Sequence, residues 1–156
     1  MNIYRLFEQC EGLAIGQAIR TSVWLFPVIE ATHLLALALL GGAVLILDLR
    51  LLGTGLTSQP ASRIERQTRP WLVGALIGLI ATGVPLFLSE ALKLYDSQAF
   101  WLKMVLLLAA LLFTFAIRNP FARRDPGDAR LSRAVALISM GLWFGVALAG
   151  RWIGFS

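Results

Sequence analysis

The sequence predicts an all-α integral membrane protein, a four-helix transmembrane bundle with a short N-terminal amphipathic interfacial helix. Three observations carry this. Hydrophobic residues make up 58% of the 156 positions, and the mean hydropathy is +0.74, too apolar for a soluble domain. Four stretches reach the roughly 20 apolar residues a spanning helix needs: about 22–47, 71–88, 99–117 and 134–152. The stretches fill the chain, so residues 1–156 read as a single transmembrane domain.

Residues 1–20 are amphipathic. Leu6, Cys10, Leu13 and Ile19 share one helical face, while Arg5, Glu8, Glu11 and Gln17 lie elsewhere. A helix lying in the membrane interface is expected there, or an extension of the first span. No basic region followed by an apolar core and a small-residue cleavage site is visible, so the first span is expected to target the chain.

Thr21 and Ser22 are candidate caps for that span. Pro27 is expected to loosen its first turns. Glu30 and His33 follow one turn apart inside the apolar run, and His33 is the single histidine of the chain. Gly41 and Gly42 suggest close approach by another helix. Asp48 and Arg50 close the span and read as a pair at its end.

Residues 51–70 read as a polar loop, with Pro70 in the first turn of the second span. That span carries Gly74 and Gly78 at packing spacing and ends at Ser89 and Glu90. The third span holds Lys103 near its start and is expected to stop at Asn119-Pro120. The fourth spaces Gly141, Gly145 and Ala149 four residues apart and closes with Arg151 and Trp152.

The net charge of +5 does not imply a nucleic-acid partner, because the arginines flank spans. Arg50, Arg63, Arg66 and Arg69 surround the first loop, and Arg118, Arg123, Arg124, Arg130 and Arg133 the third. The second loop has Lys93 alone. The positive-inside rule then makes loops one and three cytoplasmic and both termini periplasmic, in a bacterial inner membrane. Cys10 is the single cysteine, so no intrachain disulfide or cysteine-rich metal site can form.

This topology gathers Glu30, His33, Glu90, Lys103 and Arg151 in the outer half. Ionisable groups there are costly without partners, which marks a candidate site. Glu-x-x-His on a helix puts carboxylate and imidazole on one face, as in di-iron bundles. His33, Glu30 and Glu90 are the candidate metal ligands; His33, Glu30, Lys103 and Arg151 are the candidate cofactor-binding residues. A hydrogen-bonded structural histidine and snorkelling for Lys103 and Arg151 are the competing readings. No catalytic triad, phosphate loop or nucleotide fingerprint is present, so catalytic residues are unknown.

The segments WLFPVIEATHLLALALLGGAVLILDLRLLG and AFWLKMVLLL resemble an uncharacterised family of small bacterial four-helix inner-membrane proteins. More distantly, His33, Gly41 or Gly42 and Arg50 are similar in placement to residues of HemJ-type protoporphyrinogen oxidases and CopD-type copper-resistance domains, and Lys103 to a lysine of the HemJ-type proteins. That resemblance implies His33 as an axial haem ligand and Lys103 near a carboxylate.

Three functions stay open at this point. One is a membrane protein that binds haem b or a transition metal ion through His33, with a redox or metal-handling role. The second is small-solute or proton-coupled transport. The third is an accessory membrane subunit without a cofactor. Expected partners are the lipid bilayer, a second copy of the chain in a homo-oligomer that could supply further ligands, and a periplasmic or membrane protein.

Overall fold

The computed structural model describes residues 3–153. They form eight α-helices: α1 (Ile3–Glu11), α2 (Ala14–Thr21), α3 (Leu25–Leu52), α4 (Ala61–Ser89), α5 (Ala91–Asp96), α6 (Gln98–Leu112), α7 (Asn119–Arg123) and α8 (Ala129–Ile153). A π-helical turn, Phe113–Arg118, joins α6 to α7. No strand occurs among the described residues. Four helical segments, Leu25–Leu52, Ala61–Ser89, Gln98–Arg123 and Ala129–Ile153, are long and apolar enough to cross a membrane.

α3 packs along α4 and α8, and α8 packs along α6. One core cluster centres on Leu40, Val44, Leu72, Ala110, Trp143 and Val146. A second, nearer the arginine-rich loops, includes Leu47, Leu51, Ile64, Ala122 and Val135. Small residues set the close approaches, though only some of those expected. A Cβ on Gly78 would meet Ala36 Cβ at 3.4 Å, and one on Gly145 would meet Leu106 at 3.3 Å. Gly41, Gly42, Gly74 and Gly141 face open space instead. The expected close approach at Gly41 and Gly42 is therefore corrected: the two glycines lie on the exposed side of α3, while Leu40, Ala43 and Val44 beside them face the core.

Several boundaries also differ from expectation. Ser22 does cap α3, its Oγ accepting from Leu25 N at 3.1 Å. Pro27 is only the third residue of the helix. The first four N–H groups of a helix have no internal acceptor, so this proline sacrifices no bond. α4 begins at Ala61, so Arg63, Arg66 and Arg69 are helical and Pro70 lies inside the helix. The third span passes Asn119-Pro120 through the π-helical turn and continues to Arg123. α3 stops at Gly53, which adopts φ 79° and donates its N–H to the Arg50 and Leu49 carbonyls. Such a left-handed cap suits glycine, which has no Cβ to clash.

The N-terminal segment folds as two short helices, not one. Phe7 anchors α1 in an aromatic cluster with Phe87, Tyr95, Phe100 and Trp101, at centroid distances of 5.2–6.5 Å. Leu6 and Leu13, expected to share a face with Ile19, are each 48% exposed, while Ile19 is buried. Glu11 ties the segment down: it pairs with Arg20 and accepts from Leu92 N at 2.7 Å. α2 lies against the end of α4 so closely that a Cβ on Gly16 would stand 2.4 Å from the Leu88 carbonyl oxygen. Because that obstacle is backbone, Gly16→Ala is expected to destabilise by about 1–3 kcal/mol, as overpacking does. Thermal unfolding in detergent tests this, and an unchanged midpoint would reject the close packing.

At the opposite end, Asp125 accepts from Ser62 N at 2.8 Å and from Ser62 Oγ at 2.6 Å, capping α4 from the third loop. These donors hold the Asp125 carboxyl below its ordinary pKa of 3.8. A depressed carboxylate pKa adds stability that is present above the ordinary value and is lost as pH falls through the folded-state value. The stability gap between the wild type and Asp125→Asn is therefore expected to be constant near neutrality and to close below about pH 4. Melting temperatures of both proteins from pH 7 to pH 3 check this; a gap that widens on acidification would contradict it.

Candidate functional site

His33 is the ninth residue of α3, which sets it roughly 12 Å along the axis at 1.5 Å per residue. It is half-buried. Its Nδ1 lies 2.8 Å from Thr82 Oγ1 on α4. Thr82 Oγ1 in turn donates to the Gly78 carbonyl at 2.7 Å. A hydroxyl has one hydrogen to give, and Thr82 uses it on Gly78. With that hydrogen on Gly78, the bond to His33 runs from Nδ1–H to Thr82 Oγ1, and Nε2 stays outside it. Gly83 makes room for the ring, since a Cβ there would meet His33 Cε1 at 3.3 Å.

Lys103 approaches from α6. It is half-buried, and its side chain runs over Gly150 of α8, where an added Cβ would lie 3.5 Å from Cε. It stands within electrostatic reach of His33. The structure thus joins His33 to Thr82 by a hydrogen bond and sets Lys103 against Gly150 of α8. The threonine had no distinguishing mark in the sequence; its place one turn after Gly78 could have suggested an α4 residue facing α3.

Glu30 is exposed on α3 and makes no hydrogen bond to His33. Glu90 is half-buried at the junction of α4 and α5. Arg151 is exposed in the last turn of α8. Among the described residues, no group of three or more His, Cys, Asp or Glu side chains could hold a metal ion.

Sequence reasoning missed a second polar centre, near the arginine-rich loops. Arg118 is fully buried and donates through Nε to Asp48 Oδ1 at 2.6 Å. Its other nitrogens donate to the Val44 carbonyl and to Asn119 Oδ1. Asp48 therefore pairs with Arg118 rather than with Arg50, whose Nε donates to the Gln59 carbonyl. Ser139 faces the Asp48 carboxylate without closing a hydrogen bond of normal geometry. Trp143 Nε1 donates to Thr114 Oγ1 at 3.0 Å beside the π-helical turn. Further out, Arg123 pairs with Glu65 at 2.8 Å, and Glu65 is 1% exposed.

No curated protein and no solved structure matches the chain, so the likeness to HemJ-type and CopD-type proteins has no support from these comparisons. With four helices able to cross a membrane and residues 6–156 matched by its model, the chain belongs to DUF6644, a family of unknown function.

Proposed function

We propose that this protein is a multi-pass membrane protein that binds a metal centre needing one protein imidazole, His33. Haem b would meet that requirement, because His33 would hold its iron and the porphyrin would supply the other nitrogen ligands. A transition metal ion completed by non-protein ligands, or by a second copy of the chain, is the other form of the same reading. The observation that carries it is the His33–Thr82 hydrogen bond. Metal-ligating histidines characteristically donate the other ring N–H to an oxygen, which orients the ring and raises its basicity. Lys103, close enough to act on His33 electrostatically, would receive a carboxylate of the ligand.

The role we assign is redox chemistry or metal handling at the outer face of a bacterial inner membrane. The arginine-rich loops would face the cytoplasm and both termini the periplasm. The experiment is a visible absorption spectrum with elemental analysis of protein purified in mild detergent. A Soret band, or a metal near one per chain, supports the reading. A folded, colourless and metal-free sample overturns it.

A further inference from the structure

The end of the bundle opposite the arginine-rich loops is closed by aromatic rings. α4 packs along α3, and α6 along α8. Phe87 of α4 and Phe100 of α6 join the two pairs, with centroids 6.0 Å apart and planes at 20°. Phe7 of α1 sets its ring edge-on to both, at 5.2 and 6.5 Å. Helical spacing fixes the level of this layer. Phe87 lies four residues beyond Gly83, against which the His33 ring rests. Phe100 lies three residues before Lys103. Residues three or four apart share a helix face. The faces of α4 and α6 that carry Gly83 and Lys103 therefore carry the two rings one turn nearer the end of the bundle.

α1 is held on this layer lightly. Ile3, Leu6, Phe7 and Cys10 follow one helical stripe. Phe7 is the buried residue of that stripe, whereas Ile3 is 59% exposed and Leu6 48%. An amphipathic helix with such a stripe suits the membrane surface, so the bilayer can take up what the bundle leaves uncovered. Gly12 and Leu13 separate α1 from α2. α2 is the fixed side of that joint, because Gly16 is wedged against the Leu88 carbonyl. Glu11 stands at the joint and latches it, pairing with Arg20 of α2 and accepting from Leu92 N of α5. Burial of one phenylalanine favours the closed position by roughly 10–150-fold relative to water, and by less where lipid receives the ring.

We propose that α1 is a lid, hinged at Gly12 and Leu13, which swings from the bundle onto the membrane surface and opens a route past Phe87 and Phe100 towards Lys103 and the His33–Thr82 pair. Phe7 is its plug and Glu11 its latch. The inference rests on the reading of His33 as a binding residue, to which it adds the step that admits the ligand from the aqueous side. The amphipathic N-terminal segment, which reads in the sequence as a membrane-surface helix alone, thereby acquires a second resting place over the site.

The test reads the route without any ligand. Cys10→Ser removes the native thiol, and Lys103→Cys places a thiol beneath the rings. Its rate of modification by a charged, membrane-impermeant thiosulfonate is measured on the full chain in phosphatidylcholine nanodiscs. Phe7→Ala is expected to raise that rate by about 10–100-fold. Glu11→Gln leaves the plug in place and weakens the latch from a charged to a neutral hydrogen bond, and it is expected to raise the rate about fivefold. Circular dichroism and gel filtration check that both variants fold. Faster modification in both supports the lid. An unchanged rate in Phe7→Ala overturns it, as does a rate with Phe7 and Glu11 intact that equals that of the exposed control Trp24→Cys. Acceleration by Phe7→Ala alone identifies a fixed plug and overturns the swing. The thiol rate involves neither haem nor metal, so a colourless protein and a failed lid are separate results.

Discussion

Asp48→Ala is expected to destabilise the folded bundle by about 3–5 kcal/mol, the cost of leaving one charge of a buried pair without its partner. Arg118 and Asp48 are both 0% exposed, and the pair is held at 2.6 Å. With the carboxylate gone, the guanidinium keeps its bonds to the Val44 carbonyl and Asn119, but neither group carries a countercharge. Arg118→Met should cost a similar amount, since it strands Asp48, whose Oδ2 already lacks a hydrogen-bond partner. The double variant Asp48→Leu/Arg118→Met removes both charges and is expected to recover most of the loss. Unfolding in mixed dodecyl maltoside and SDS micelles measures all three on one scale. Single variants within 1 kcal/mol of wild type would mean that the pair does not hold the helices together.

The π-helical turn belongs to the same argument. A π-helical turn carries an i→i+5 bond and commonly appears at places under functional or structural constraint. Here it spans Phe113–Arg118 and ends on the residue that reaches into the core. Thr114, also 0% exposed, lies in the same turn and accepts from Trp143 of α8. The turn thus delivers two polar side chains to buried partners on α3 and α8.

If the proposed function holds, His33→Ala is expected to abolish haem or metal binding, because His33 is the single histidine of the chain. The fold should survive it: His33 is half-buried, not sealed in the core. Thr82→Val is the more informative change. It keeps the size of the side chain and removes the oxygen that orients the ring, and loss of such an outer partner typically weakens metal binding by 10–100-fold. Titration of apoprotein with haem, followed at the Soret band, measures both. Unaltered affinity in Thr82→Val would mean that Nδ1 is not the nitrogen that matters. Retained binding in His33→Ala would move the site elsewhere.

The sequence by itself determined the four spans, because hydrophobicity sustained over a bilayer thickness is a property of each segment alone. It also singled out His33 and Lys103, since an ionisable residue in an apolar run is visible without any neighbour. It could not show which residues meet. Glu30 is one turn from His33 along α3, yet the ring turns to Thr82, 49 residues away, while Glu30 stays exposed. Asp48 is two residues from Arg50, but its partner is 70 residues distant. In both cases local spacing was outweighed by burial. A polar group withdrawn from solvent must take the partner that the packed helices bring within reach, and only the tertiary structure decides which one that is. The π-helical turn was equally illegible, because Asn119-Pro120 carries the pattern of a helix stop and only the packing of Arg118 and Thr114 against α3 and α8 explains why the helix widens and continues.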